Sequence, residues 1–101
     1  MRQVEKMMLN AIESGHSFKC GNTEVKCFSF GTFVALHGNL IFALIDGKRY
    51  YSNAGWNTAT TASRLRALGA NYSTNYKKCS CDLLSKNEML DLYYSHMFTG
   101  A

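Results

Sequence analysis

The first part of the chain repeats its apolar residues at steps of three and four positions. These residues are Val4, Met7, Met8, Ala11 and Ile12. Because this spacing places the apolar side chains on one face of a helix, it predicts an amphipathic helix over residues 2 to 14. Gly15 follows directly and is a typical helix terminator.

Short segments rich in aromatic and β-branched residues then alternate with turn-forming residues, which is typical of consecutive antiparallel strands. The predicted strands are FKC at 18–20, EVKCFSF at 24–30, FVALH at 33–37, LIFALI at 40–45 and KRYYS at 48–52. The turns between them contain Gly21-Asn22, Gly31-Thr32, Gly38-Asn39 and Asp46-Gly47. The strand at 40–45 is apolar at every position, so we expect it to be central and covered on both faces of the sheet.

A middle helix is predicted over residues 58–68, after the loop NAGWN. Thr58 or Thr60 would be its N-cap, and Gly69 would end it. Its apolar residues form one stripe, which we expect to dock on the sheet. The stripe consists of Ala62, Leu65 and Leu68.

The C-terminal part predicts one more strand and one more helix. The strand is YKKCSCDLL at 76–84, and Ser85 and Glu88 then have the spacing of a capping box that opens a helix. The run Leu92-Tyr93-Tyr94 would also fit the extension of a strand. Together these elements predict an α+β fold with a mainly antiparallel sheet of about four to five strands and helices packed on it.

Length and composition favour a soluble protein of one domain. A chain of 101 residues suits a single core, so we expect residues 1–101 to form one domain. The apolar run at 40–45 is too short to span a bilayer, and charges interrupt the N-terminal segment where a signal peptide would be apolar. These features predict a cytoplasmic protein without membrane contact.

The cysteines and the missing enzyme motifs argue against catalysis and metal binding. Cys20, Cys27, Cys79 and Cys81 would be reduced thiols in a cytoplasm, and their spacing does not match the paired knuckles of a zinc ribbon. His37 lies near a tight turn, where a structural histidine is the simpler interpretation. No motif of a P-loop, a zinc protease or a hydrolase elbow occurs. We therefore predict neither enzyme activity nor a cofactor or metal.

The positive charge of the chain is concentrated in its middle third. Residues 47–81 contain no Asp or Glu, whereas the rest of the chain carries all seven acidic residues. The basic residues of this segment are Lys48, Arg49, Arg64, Arg66, Lys77 and Lys78. Tyrosines and Trp56 are interleaved with them, and such a surface suits phosphates and stacked bases.

The start of the middle helix is a candidate anion site. Its N–H groups and dipole attract a phosphate, and hydroxyl side chains there can donate to phosphate oxygens. The hydroxyls are those of Thr58, Thr60, Thr61 and Ser63, and Arg64 follows within one turn. The same threonines would also serve as helix caps, and the aromatic residues would also serve as packing residues.

Two segments of the chain resemble small proteins of tailed bacteriophages. The first is Leu36-His37-Gly38-Asn39-Leu40-Ile41, and the second is Ala54-Gly55-Trp56 followed by Thr58, Thr60-Thr61 and Ser63-Arg64-Leu65. Asn22-Thr23-x-Val25 matches the usual lead-in of the pattern, so the resemblance covers roughly Asn22 to Leu68. Phe42 and Arg66 depart from the usual pattern, which has alanine and asparagine there. The resemblance implies a phage origin and an α+β fold, and it assigns no catalytic residue.

Three functions are compatible with these features. The first is a phage accessory protein that binds nucleic acid through a basic face around the helix that begins near Thr58. The second is an inhibitor of host defence or host machinery, similar in kind to anti-CRISPR proteins, that binds a host protein or a nucleoprotein complex. The third is binding of a small phosphorylated ligand such as a nucleotide at the helix start. Each would act in the cytoplasm of a bacterial host.

Overall fold

A computed structural model describes residues 2–55, 58–70 and 83–99. Its helices are α1 (Gln3–Ser14), α2 (Ala59–Ala67) and α3 (Lys86–Thr99). Its strands are β1 (Phe18–Cys20), β2 (Thr23–Phe28), β3 (Gly31–Leu36), β4 (Asn39–Ile45) and β5 (Lys48–Tyr51). Trp56, Lys77, Lys78, Cys79, Cys81 and most of the predicted strand at 76–84 lie outside the described residues. The predicted α+β fold is confirmed.

The five strands form one antiparallel sheet in the order β1-β2-β3-β4-β5. Each strand pairs with its sequence neighbour because the connecting turns are tight. In the turn before β5, Asp46 and Gly47 both have positive φ angles, of 53° and 78°. This is the geometry of a two-residue hairpin loop, so the predicted Asp46-Gly47 hairpin is confirmed.

The turn between β3 and β4 differs by one residue from the prediction. Its central residues are His37 and Gly38, with φ angles of 53° and 78°, and Asn39 is already the first residue of β4. The sequence analysis placed His37 at the end of a strand. The left-handed backbone instead puts His37 at the tip of the hairpin, where it is exposed.

Strand β4 contains a bulge that changes which side chains face which core. Val34 pairs with Phe42 and Ala35 pairs with Leu40, so Ile41 is the extra residue of β4. Two consecutive residues, Ile41 and Phe42, consequently face the same side of the sheet. Bulges redirect side chains in this way without ending the strand.

Helices cover both faces of the sheet, as predicted for the apolar β4. Helices α1 and α2 pack on one face, where the core contains Met8, Val25, Val34, Ile41, Phe42 and Leu65. Helix α3 packs on the other face, where the core contains Phe33, Ala35, Leu40, Ala43, Ile45 and Met89. None of the described helices is long and apolar enough to cross a membrane.

Local signals fix the ends of all three helices. Gly15 ends α1 with a left-handed φ angle of 74°. Thr58 caps α2 by accepting a hydrogen bond of 3.2 Å from the backbone N–H of Thr61. Ser85 and Glu88 form the predicted capping box, since each side chain bonds the other residue's backbone N–H, at 3.1 and 2.9 Å. Tyr93 and Tyr94 therefore belong to a helix and not to a strand.

Candidate functional site

A cavity of about 420 Å³ opens at the N-terminal end of α2. The tip of the β3–β4 hairpin forms one wall, and the loop after β5 together with the start of α2 forms the other. The lining residues are Leu36, His37, Asn39, Ile41, Asn53, Ala54, Thr58, Thr60 and Thr61. Its apolar members are buried, whereas His37 and Thr58 are exposed at the rim. We call this cavity the α2 pocket.

The loop that leads into α2 is held in place by hydrogen bonds from its backbone N–H groups. The N–H of Ser52 donates to the carbonyl of Ile41 at 2.8 Å, and the buried Ser52 hydroxyl accepts from the N–H of Ala54 at 3.0 Å. Asn53 Oδ1 accepts from the N–H of Gly55 at 3.0 Å. These bonds fix Ala54 in a left-handed conformation with φ 54°. The pocket wall is thus built by the fold and does not need a ligand to form.

The three threonines of the pocket have different roles. Thr58 and Thr61 bond each other, with 3.0 Å between their hydroxyl oxygens, in addition to the cap from Thr58 to the Thr61 N–H. Thr61 is also 2% exposed, so its hydroxyl serves the helix start. Thr60 is half-buried and makes no side-chain hydrogen bond to the described residues. Of the predicted hydroxyl donors, Thr60 is the one most suited to a ligand.

Ser63 and Arg64 bond to the interior and not to the α2 pocket. The Ser63 hydroxyl donates to Glu5 Oε2 at 2.5 Å, and Arg64 Nη1 donates to the same oxygen at 2.7 Å. Arg64 Nε donates to the buried Thr23 hydroxyl at 3.1 Å. Arg64 and Glu5 are 5% and 3% exposed, so this is a buried ion pair between α1 and α2. The geometry does not fit the prediction that Ser63 and Arg64 contact an external phosphate.

The environment of Glu5 keeps it ionised. Burial alone raises the pKa of the Glu5 carboxyl, but hydrogen bonds from Ser63 and Arg64, a bond from the Arg2 backbone and the charge of Arg64 outweigh burial. The pKa of Glu5 therefore lies below its ordinary value. The pair is charged at neutral pH, as a structural ion pair requires.

The other described cations of the basic segment lie away from the start of α2. The Arg49 guanidinium lies against Gly69, beyond the C-terminal end of α2. Because α2 has nine residues, its two ends are about 13 Å apart. Lys48 packs over the ring of Tyr50 on β5, with Nζ 5.3 Å from the ring centroid. Arg66 lies beside Glu5 and Ser63 in the groove between α1 and α2.

The phage resemblance is supported by a family model that matches residues 1–88. The chain belongs to the Kyanoviridae Gp96 protein family. Because the match covers most of the chain, it includes both segments that line the α2 pocket. It identifies a phage protein and assigns no activity. No curated protein and no solved structure gave a significant match.

The sequence of this family member did not reveal three polar residues of the α2 pocket. His37, Asn39 and Asn53 line it, and none of them was among the predicted site residues. A signal was present, because the phage-like segments at 36–41 and 54–65 supply every lining residue except Asn53. Two segments of one pattern that are separated along the chain meet at one cavity in the fold.

Proposed function

We propose that this phage protein is a non-catalytic accessory protein that binds a phosphorylated ligand of nucleotide size in the α2 pocket. The observation that carries the proposal is the meeting of the two phage-like segments around a cavity of about 420 Å³. Cavities of this size, with an apolar floor and a few convergent polar groups, are typical of small-molecule sites.

The polar groups of the pocket suit an anion. The Thr58 cap satisfies the N–H of Thr61, and the Thr58 carbonyl accepts from Ala62 at 3.0 Å. The N–H groups of Ala59 and Thr60 have no such partner among the described residues, as is usual in a first helical turn. Together with the Thr60 hydroxyl and the positive end of the helix dipole, they would bind phosphate oxygens. The apolar floor of Leu36 and Ile41 would contact a base or another flat apolar group.

The distribution of charge favours this small ligand over a broad nucleic-acid face. Arg64 is used inside the protein, Arg49 lies near the other end of α2, and Lys48 packs over Tyr50, which lies against the core on the α3 face of the sheet. A nucleic-acid face built from these cations, with Lys77 and Lys78, stays a prediction from the sequence. Binding to a host protein or nucleoprotein complex, as a host-directed inhibitor would do, likewise stays a prediction.

Thermal-shift and calorimetric titrations with nucleoside mono-, di- and triphosphates test the proposal. A ligand that binds the folded state raises its melting temperature by mass action. We expect Thr60→Val to weaken binding about tenfold, because one hydrogen bond to a charged group is lost. Thr32→Val is the matched control, since Thr32 is the second residue of β3 and is about 13 Å from Leu36 along that strand.

Two results would overturn the proposal. One is the absence of binding by all these nucleotides at millimolar concentration. The other is an equal effect of Thr60→Val and Thr32→Val. A titration with an oligonucleotide is the third experiment. An affinity that falls steeply with salt and is unchanged by Thr60→Val would instead favour the nucleic-acid face.

A further inference from the structure

A continuous chain of polar contacts connects the buried ion pair to the wall of the α2 pocket. Arg64, bonded to Glu5 at 2.7 Å, donates from Nε to the Thr23 hydroxyl at 3.1 Å. Thr23 Oγ1 lies 3.4 Å from Asn22 Oδ1, and this is the longest of these four contacts. Asn22 Nδ2 lies 3.0 Å from His37 Nε2. Five residues from α1, α2 and the two hairpin ends are linked in this way.

The direction of each hydrogen bond between Arg64 and His37 follows from the fact that the Arg64 guanidinium is a donor. A guanidinium donates and never accepts, so the Thr23 oxygen must accept from Arg64. The Thr23 hydroxyl hydrogen then needs an acceptor, because Thr23 is fully buried and a buried hydroxyl without an acceptor is costly. Asn22 Oδ1 is that acceptor. The Asn22 amide is thereby oriented with its NH₂ group toward His37.

The opposite orientation of the amide is excluded by the same reasoning. With oxygen and nitrogen exchanged, Asn22 would present a second donor to the Thr23 oxygen, and the Thr23 hydrogen would lose its acceptor. Hydrogen-bond networks are the accepted basis for choosing between two such amide orientations. The amide NH₂ can bond His37 Nε2 only if that nitrogen carries no hydrogen.

We infer that Arg64, through Thr23 and Asn22, holds neutral His37 as the tautomer that carries its hydrogen on Nδ1. Asn22 is then a positioning residue, and His37, which lines the rim of the α2 pocket, carries at Nδ1 a hydrogen-bond donor that bonds none of the described residues. Such a rim selects acceptors such as phosphate or carbonyl oxygens. This selectivity rests on the proposed function, whereas the tautomer does not.

Nitrogen-15 NMR of the histidine rings in the ligand-free protein tests the inference. At about pH 8.5, where an ordinary histidine is neutral, long-range ¹H–¹⁵N spectra identify the protonated nitrogen of each ring. The other two histidines are internal controls. His96 Nδ1 lies 2.9 Å from the carbonyl of Leu92 and must carry a hydrogen, whereas His16 is exposed and has no ring hydrogen bond to the described residues.

We expect Nδ1–H for wild-type His37 and a reversal in Asn22→Asp, because a carboxylate accepts from Nε2 and cannot donate to it. For Asn22→Ala we expect His37 to show a mixture of both tautomers, as we also expect for the exposed His16. Because Asn22 is exposed, both variants should fold, and circular dichroism checks this. A wild-type His37 that carries its hydrogen on Nε2, or a His37 tautomer that is unchanged in Asn22→Asp, overturns the inference. Failure of all nucleotides to bind would contradict the proposed function and leave the tautomer result intact.

Discussion

The buried pair of Glu5 and Arg64 allows a stability prediction with an internal control. Arg64→Met removes the guanidinium and leaves the Glu5 carboxylate in a site that is 3% exposed. Breaking a buried ion pair in this way costs about 3–5 kcal/mol of unfolding free energy. Arg66→Met makes the same chemical change two positions later, at an exposed side chain, and should cost at most about 1 kcal/mol, the upper range for an exposed charge contact.

The comparison between these variants isolates burial and pairing from helix propensity. Arginine and methionine have similar helix propensities, so neither substitution disturbs α2 for that reason. In a domain of this size, 1 kcal/mol shifts the melting temperature by about 4–8 °C. We therefore expect Arg64→Met to melt at least about 12 °C below the wild type. Urea unfolding followed by circular dichroism measures the free energies.

The double variant Glu5→Met with Arg64→Met completes the cycle. It should be more stable than Arg64→Met alone, because no buried charge is then left without its partner. Glu5→Met alone supplies the second single variant that the cycle needs. Equal stabilities of Arg64→Met and Arg66→Met, or single effects that simply add in the double variant, would refute the assignment of a buried pair.

Two further predictions concern pH and packing. The folded state lowers the pKa of Glu5 from its ordinary value of about 4.5. The wild type should therefore be more stable than Glu5→Gln by a constant free energy at higher pH, and this difference should decline as pH falls through the folded pKa. Urea titrations at several pH values measure the difference, and a difference that grows on acidification would contradict the prediction. Gly31→Ala should destabilise by about 1–3 kcal/mol, because its Cβ would lie 2.6 Å from the carbonyl oxygen of Leu44. A stabilised Gly31→Ala in urea unfolding would show that this contact relaxes.

Elements with local signals could be predicted from the sequence. The helix ended by Gly15, the Asp46-Gly47 hairpin and the capping box from Ser85 to Glu88 each depend on residues within a few positions of one another. The bulge in β4 could not be predicted. The run at 40–45 has no polar residue to mark a face, so the sequence does not show that Ile41 is the extra residue.

The interior position of Arg64 depends on a partner 59 residues away. Sequence reasoning counted Arg64 as a surface cation because its segment contains no acid. A weak signal existed in the sequence of α1, since Glu5 lies one helical turn before Met8 on the apolar face of the predicted helix. In the structure both side chains are buried. An acid on the apolar face of one helix requires a buried cation elsewhere, and a count of charges cannot say which cation that is.

The burial of Arg64 also decides what kind of site the start of α2 can be. With Arg64 exposed, the helix start would have added a full positive charge to the dipole and the hydroxyls. With Arg64 bonded to Glu5, the described groups at the α2 pocket are dipoles and hydrogen-bond donors without a fixed charge. Such groups discriminate between ligands by the positions of the ligand's acceptor atoms more than by its charge, because the backbone fixes the directions of the dipoles and donors. The Thr60 hydroxyl and the His37 ring would then determine which phosphorylated ligand fits, and the cations near β5 would contribute little to that choice.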